Sequence, residues 1–257
     1  MANKLKIAAI IQARMGSTRL PGKVIKKIKN HTIIEIILNR LSQSLKLNEI
    51  IVATSDDPKN DLLEKHIQSL GYPCERGSEN DVLDRFYQAV KDIKPQLIVR
   101  LTSDCPLIDS QLIDEIIIQA KTKGLDYYAN IIEERYPDGQ DIEIFTFNAL
   151  EKAWKEAKQV SDREHVTPYI RNNSSSKGGN LFTSENHNLE INYNHVRLTV
   201  DEPQDFEVMK EMIYHLGLDK DWKTYADYYL ENEQIHKLNS NIIRNEGYIK
   251  TMEKDEK

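Results

Sequence analysis

The sequence predicts an α/β protein: a doubly wound, mostly parallel sheet with a smaller appended subdomain. Three observations lead there. Short β-branched runs alternate with helical patterns over the first 130 residues, the rhythm of parallel strands joined by right-handed crossover helices. An apolar run at 5–11 passes straight into the loop Ala13-Arg14-Met15-Gly16-Ser17-Thr18-Arg19-Leu20-Pro21-Gly22-Lys23. Polar residues collect just after successive apolar runs, at 54–57, 76–81 and 102–106, and open α/β sheets bind ligands outside the carboxyl ends of their strands.

Residues 5–11 form a nearly continuous aliphatic run, which suits a strand buried on both faces. The same reasoning places strands at 49–54, around 73–76 and at 96–101, with helices between them at about 32–44, 58–70, 81–91 and 110–121. Val82, Leu83, Phe86 and Val90 supply the apolar stripe of the third helix. After Gly124 the rhythm changes. Tyr136-Pro137-Asp138-Gly139 reads as a turn, and Asp141-Ile142-Glu143-Ile144-Phe145 as an alternating strand. Helical stretches follow at 148–158 and 162–171, then a Ser/Asn/Gly-rich loop at 172–179. Residues 195–200 alternate again as a strand, and Asp201-Glu202-Pro203 opens a helix with proline near its first position. The tail from Trp222, with Tyr225, Tyr228, Tyr229 and Ile235, is amphipathic and suited to packing on the core or on a second subunit, while 250–257 reads as frayed.

A chain of 257 residues is generous for one domain. Its longest apolar runs fall far short of the roughly 20 residues a membrane span needs, and the N-terminal run is too short and too quickly followed by charge for a secretion signal. Cys74 and Cys105 lie near expected strand ends and suit a reducing compartment. These readings predict a cytoplasmic protein. Eight bases and no acid precede Glu35, whereas the remainder holds 27 bases against 41 acids, a net of 14 negative. A positive lip on an acidic body suits a small polyanion rather than a nucleic-acid track.

The lip is the loop itself. Glycines let backbone N–H groups approach phosphate oxygens, hydroxyls add neutral donors, and Arg14, Arg19 and Lys23 balance the charge. Neither the Walker A spacing nor the Gly-x-Gly-x-x-Gly fingerprint is present. The pattern Arg-x-x-Ser-Thr-Arg-Leu-Pro-Gly-Lys, here 14–23, instead resembles the N-terminal signature of the CMP-Kdo and CMP-sialate synthetases, the cytidylyltransferases that activate sugar acids. Residues 11–23 as a whole are similar to the spore-coat polysaccharide biosynthesis protein F branch, and the resemblance extends to at least Phe206, densest before Pro106. It implies a Rossmann-like nucleotidyltransferase sheet of the GT-A type and a homodimer. The expected division is a single domain over 1–257, with a nucleotide-binding half at 1–123, an acceptor and dimerisation part at 124–220, and a helical tail at 221–257.

Nucleotidyl transfer needs charge neutralisation on the triphosphate, a divalent metal and an oriented attacking hydroxyl. The expected nucleotide contacts are Gln12, Ala13, Arg14, Gly16, Ser17, Arg19, Lys23 and Thr102, with Arg76, Gly77, Ser78, Asp81 and Arg85 around the base. Arg76 to Arg85 stands where the CMP-Kdo synthetases carry Ser-Gly-Thr-Asp-Arg, in a longer and differently ordered form; its plain alternative is a loop and a helix start. Asp104 and Asp201 each end an alternating segment on its polar face. A strand-end aspartate before a helix is commonly an N-cap. The resemblance instead matches them to the Gly-Asp-x-Pro-Leu and Val-Asp-x-Pro-x-Asp aspartates that hold Mg²⁺, with Ser103 in place of the glycine and Asp205 as a first-turn helix charge. Arg14, Lys23, Asp104 and Asp201 are thus the expected catalytic residues.

The acceptor is expected at Tyr136, Asp141, Glu143, His165 and Arg197. Asp141 and Glu143 are alternatively solvent-facing strand charges, and His165, in Arg163-Glu164-His165-Val166-Thr167-Pro168-Tyr169, a satisfied helix histidine. Arg197, placed roughly 13 Å from Asp201 at about 3.3 Å per strand residue, is positioned to grip an acceptor carboxylate. The preferred reading is a Mg²⁺-dependent transfer of CMP from CTP to a sugar acid. Alternatives are a metal-dependent glycosyltransferase using a nucleotide-diphosphosugar, a nucleotidyltransferase for another NTP or acceptor, and a nucleotide sensor.

Overall fold

The structure, a computed structural model, describes residues 6–255. Leu5, the expected first strand residue, and 256–257 of the expected frayed end lie outside them.

Strand β1 (Ile7–Gln12) leads into the basic loop, which closes in a 3-10 turn at Lys23–Ile25 and a small hairpin of β2 (Lys27–Ile28) and β3 (His31–Thr32). Thr32 and Glu35 form a reciprocal capping box that starts helix α1 (Ile33–Leu41). Strand β4 (Glu49–Ser55), helix α2 (Asp61–Ser69), strand β5 (Cys74–Gly77), helix α3 (Val82–Val90), strand β6 (Leu97–Thr102) and helix α4 (Ser110–Lys123) complete the expected alternation. Asp81 and Asp109 cap α3 and α4 by accepting backbone N–H groups.

Then come β7 (Tyr127–Ala129), β8 (Glu143–Thr146), α5 (Phe147–Glu156), α6 (Val160–His165), α7 (Pro168–Asn172) and β9 (Ser184–Asn186). The chain closes with α8 (Pro203–Leu216), α9 (Trp222–Glu231), α10 (Glu233–Asn239) and α11 (Glu246–Asp255).

The seven-stranded sheet runs β5-β4-β1-β6-β8-β7-β9. Its first four strands are parallel, β8 is antiparallel to β6 and β7, and β9 is parallel to β7. The period-two pleat sends Ala9 and Ile11 to one face, against Ile33, Ile36, Ile113, Ile116 and Met209. Ala8 and Ile10 face the other, against Phe86, Leu150 and Ile170. Both faces are therefore covered, which is why β1 carries no polar alternation.

Several expectations are corrected. The helix expected at 162–171 is two helices, because Val166 has φ of 73°, a conformation a β-branched residue adopts only under constraint. Residues 195–200 do not join the sheet. They form a single parallel bridge, Asp138 with Arg197, although Val196, Leu198 and Val200 are buried as the alternation requires. The crossing depends on Gly139: its φ is 107°, and a Cβ there would lie 2.5 Å from the Leu198 carbonyl oxygen. Residues 250–255, expected to fray, continue α11. Among the described residues no helix is long and apolar enough to cross a membrane.

Candidate active site

Gly22, with φ of 65°, turns the chain into the 3-10 turn and brings Lys23 inward. The turn is fixed by Gly22 N–H donating to Met15 O (3.2 Å) and Met15 N–H to Asn60 Oδ1 (2.8 Å). Lys23 is only 8 % exposed. Its ammonium donates to Asp201 Oδ1 at 2.7 Å, Val200 O at 2.8 Å and Asp104 Oδ2 at 3.4 Å. Burial alone would lower the Lys23 pKa, but Asp104 and Asp201 outweigh it and hold it above the ordinary lysine value. Burial would likewise raise the Asp104 carboxyl, and Lys23 holds it below the usual range.

The two acids come together because the segment before Asp201 is stitched to Asp104. Val200 N–H and the Thr199 hydroxyl both donate to Asp104 O, at 2.7 and 3.2 Å. Asp104 itself follows β6, and Ser103 N–H donates to Gln12 O at 3.1 Å. Both aspartates thus lie at the carboxyl ends of the central strands, beside the basic loop.

Around them opens a cleft of about 610 Å³. Of the sequence-derived residues it is lined by Gln12, Ala13, Arg14, Gly16, Ser17, Arg19, Lys23, Arg85, Thr102, Asp104, Asp141, Glu143, His165 and Asp201. Arg14 is half-exposed and lies 3.5 Å from Glu79. Arg19 pairs with Asp201 and Glu202 at 3.3 Å. Arg85 is buried, one nitrogen donating to Ser78 O and its Nε without a partner; burial first, then Arg14, pushes its pKa down.

Six expected residues do not line it. Arg76 is held by Asp61 and Glu64 at 2.7 and 2.8 Å and by the carbonyls of Ser55 and Asp57. Gly77 pairs in the sheet and packs on Arg85, Ser78 supports Asp81 N–H, and Asp81 caps α3 while accepting from Arg163. Glu79 and Asn80, between these residues, face the cleft instead. Tyr136 is 4 % exposed, in an aromatic cluster with Trp222 and His187.

Arg197 is the largest displacement. Its Nε and Nη2 donate to Asp205 at 2.9 Å each and its Nη1 to Asp138 at 2.7 Å. It approaches Asp201 to 3.8 Å rather than standing far from it. Asp205 is the first-turn acid of α8, as expected, and it also accepts the N–H groups of Asp201 and Glu202 and the Asn239 amide, all at 2.9 Å.

In the other half of the cleft, Asp141 pairs with Arg244 at 2.5 Å. Glu143 is not a solvent-facing charge. It is 1 % exposed, ion-paired with its cross-strand neighbour Arg100 and hydrogen-bonded by Tyr127 (2.6 Å). His165 is kept neutral: burial first, then the Arg100 charge, push its pKa down to about 4. Asp138, within the stretch 136–143 expected to meet the acceptor, lines the cleft too, and Arg100, Arg171, Asn245 and Tyr248 line it without having been singled out. Arg100 carried a signal, a charged residue inside an apolar strand on the face of Thr102 and Asp104; the others carried none.

Among the described residues no group of three or more His, Cys, Asp or Glu is arranged around a metal position. Two facing aspartates nevertheless fit a magnesium-like ion, which typically takes one or two protein carboxylates and fills its shell with water and substrate phosphate.

Comparison with known proteins gives the family. A family model for cytidylyltransferases matches residues 8–248. The chain is 35% identical over 216 residues to the spore coat polysaccharide biosynthesis protein SpsF of Bacillus subtilis, covering 82% of this chain and 88% of that one. It is 33% identical over 124 residues, about half of each chain (48% and 49%), to a 3-deoxy-manno-octulosonate cytidylyltransferase of Hydrogenovibrio crunogenus. A solved cytidylyltransferase from Leptospira borgpetersenii superposes with a TM-score of 0.85 at 33% identity, over 93% of this chain and 100% of that one. The glycosyltransferase and sensor alternatives fall away, and the chain, with its α/β nucleotidyltransferase fold, belongs to the cytidylyltransferase family.

Proposed function

We propose that this enzyme transfers CMP from CTP to a sugar acid destined for surface polysaccharide, releasing pyrophosphate with the help of Mg²⁺. The observation that carries this reading is the Lys23 ammonium held between Asp104 and Asp201 beside the Arg14 and Arg19 lip. The acceptor class is supported by the likeness to an octulosonate cytidylyltransferase. The polysaccharide destination is supported by the likeness to SpsF.

Arg14, Arg19 and Lys23 neutralise and orient the triphosphate, with Ser17 as a neutral donor and the Gly16 backbone free to approach closely. Asp104 and Asp201 would hold the ion, which when bound would supply positive charge beside the phosphoryl oxygens. Asp205 and Arg197 are positioning residues: the Asp205 carboxylate fixes the backbone of 201–202 and so aims Asp201. Glu79, Asn80 and Arg85, which line the cleft, meet the base and ribose. Residues 1–123 then serve mainly the nucleotide and 124–220 mainly the acceptor, with a homodimer formed through the later helices.

The test is pyrophosphate release with each of the four NTPs, Mg²⁺ and a panel of sugar acids and neutral sugars. Release with CTP and a sugar acid supports the reading. Preference for another NTP, or for neutral sugars, contradicts it. Light scattering at micromolar concentration reads the dimer, which a monomer would refute.

A further inference from the structure

With Arg197 committed elsewhere, the acceptor half of the cleft still holds buried nitrogen atoms without partners. Arg100 pairs with Glu143 and donates to Gln12 at 3.2 Å, leaving a buried Nε without a partner. Burial works against the charge of Arg171, but Tyr127, Glu143 and Tyr248 outweigh it and hold the guanidinium above its ordinary pKa. Arg100 is ion-paired with the buried Glu143 carboxylate, whose charge also reaches Arg171. Beside them the neutral His165 has a buried Nε2 with no hydrogen-bond partner. Glu164 accepts from the Thr251 hydroxyl at 3.2 Å, and Glu134, Asp138 and Asp141 line the same cleft. A buried N–H group without a partner is costly, and an entering oxygen acceptor relieves that cost.

The remaining wall belongs to the C-terminal helix. Tyr248 meets His165 edge to face, with ring centroids 5.0 Å apart, and Arg171 lies 5.3 Å from its ring centre. At the start of α11, Glu246 lies 3.4 Å from Arg19 on the phosphate lip. At its end, Asp255 accepts the N–H groups of Val160 and Ser161 at 2.9 and 3.1 Å, at the start of the helix that carries His165. The helix is thus tied to both halves of the cleft.

We propose that α11 completes the acceptor site: Tyr248 closes an alcove with Arg100, Arg171 and His165 that takes the carboxylate of the acceptor. This rests on the cytidylyl-transfer reading and names the group by which its acceptor is held. The planar guanidinium matches a carboxylate geometrically. The tyrosine ring keeps water from the pair, which strengthens it. Acceptor recognition then depends on a segment more than 40 residues beyond Asp201, outside every motif of the nucleotide half.

The probe is pyruvate, the smallest 2-oxo acid, against its neutral isostere pyruvamide, followed by saturation-transfer NMR on the full chain loaded with CTP. The wild type binds pyruvate and not pyruvamide. Tyr248→Ala and Arg171→Gln each weaken pyruvate at least tenfold, whereas Tyr248→Phe, which keeps the ring, retains it. CTP affinity by calorimetry stays within twofold in all three, which also reports that the variants are folded. Equal binding of pyruvamide, no pyruvate binding by the wild type, unchanged binding in Tyr248→Ala, or loss of CTP binding in that variant each overturns the proposal. Pyruvate binding by the alcove without pyrophosphate release from CTP and any sugar acid would instead refute the proposed function while leaving the anion site standing.

Discussion

Arg197→Leu separates a structural cation from an acceptor-binding one. The side chain is 7 % exposed and its main partner, Asp205, is 0 % exposed, so solvent screening offers no discount. Removing one member of a buried ion pair costs about 3–5 kcal/mol. Asp205 keeps three N–H donors, from Asp201, Glu202 and Asn239, which favours the lower end, about 3 kcal/mol. At about 2–4 °C per kcal/mol for a chain of this size, the melting temperature falls by roughly 6–12 °C. The pH dependence has a definite sign. Burial would raise the Asp205 carboxyl, but the Arg197 hydrogen bonds and charge hold it below its ordinary value of 3.8. In the wild type that contribution is present above this value and lost as pH falls through the depressed one. In the variant, burial acts unopposed by the guanidinium, the carboxyl rises, and the deficit shrinks on acidification. Adding Asp205→Asn, whose amide oxygen still accepts the N–H groups, recovers much of the loss, as a double-mutant cycle reads directly. Calorimetric melts between pH 4 and 8 are the assay. A variant that melts within about 1 °C of the wild type and loses only acceptor affinity refutes the reasoning and restores Arg197 to the acceptor.

Lys23→Met lowers turnover by about 10²-fold or more, the scale of a lost oriented contact. It also lowers the melting temperature at neutral pH, because Asp104 and Asp201 then face each other without their ammonium; an unchanged melt contradicts the buried placement. Gly139→Ala destabilises by several kcal/mol, since the new methyl meets the Leu198 carbonyl and φ is unfavourable; a denaturant midpoint equal to wild type argues against the close crossing. His165 has its folded pKa pushed down from 6.5 to about 4, so its neutral form contributes stability above 6.5 that is lost as pH falls toward 4. His165→Gln flattens the stability profile across that window; an unaltered profile shows that the ring is not held neutral by burial.

The nucleotide half was legible because its signals are local. The aliphatic runs of β1, β4 and β6 and the residues just after them lie close together in sequence, and parallel topology carries them to one rim. The pairing of Asp104 with Asp201 was readable through motif resemblance, although the second lies on a strap rather than a strand. The alternation at 196–200 is real, and only a single bridge to Asp138 forms because the segment crosses Gly139 instead of running beside a strand. β2, β3, β7 and β9 span two or three residues, too few for a period to show. The acceptor half was least legible. Its charges come from β6, β8, α7 and α11, and whether an arginine meets a ligand or a buried aspartate depends on partners far away in sequence. Arg197 and Arg100 each sit in an alternating apolar segment. Only the fold shows that Asp205 and Asp138 occupy the first while the second faces the cleft.

The central claim is that Asp104 and Asp201 jointly hold the ion that cytidylyl transfer uses. Pyrophosphate release from CTP, titrated with Mg²⁺ in the wild type, Asp104→Asn and Asp201→Asn, tests it most directly. An amide keeps the shape but loses the charge, so each variant is expected to fall to background at magnesium concentrations that saturate the wild type, while still binding CTP. If both variants saturate at the wild-type magnesium concentration and reach the wild-type rate, the two aspartates serve only the fold and the metal site lies elsewhere.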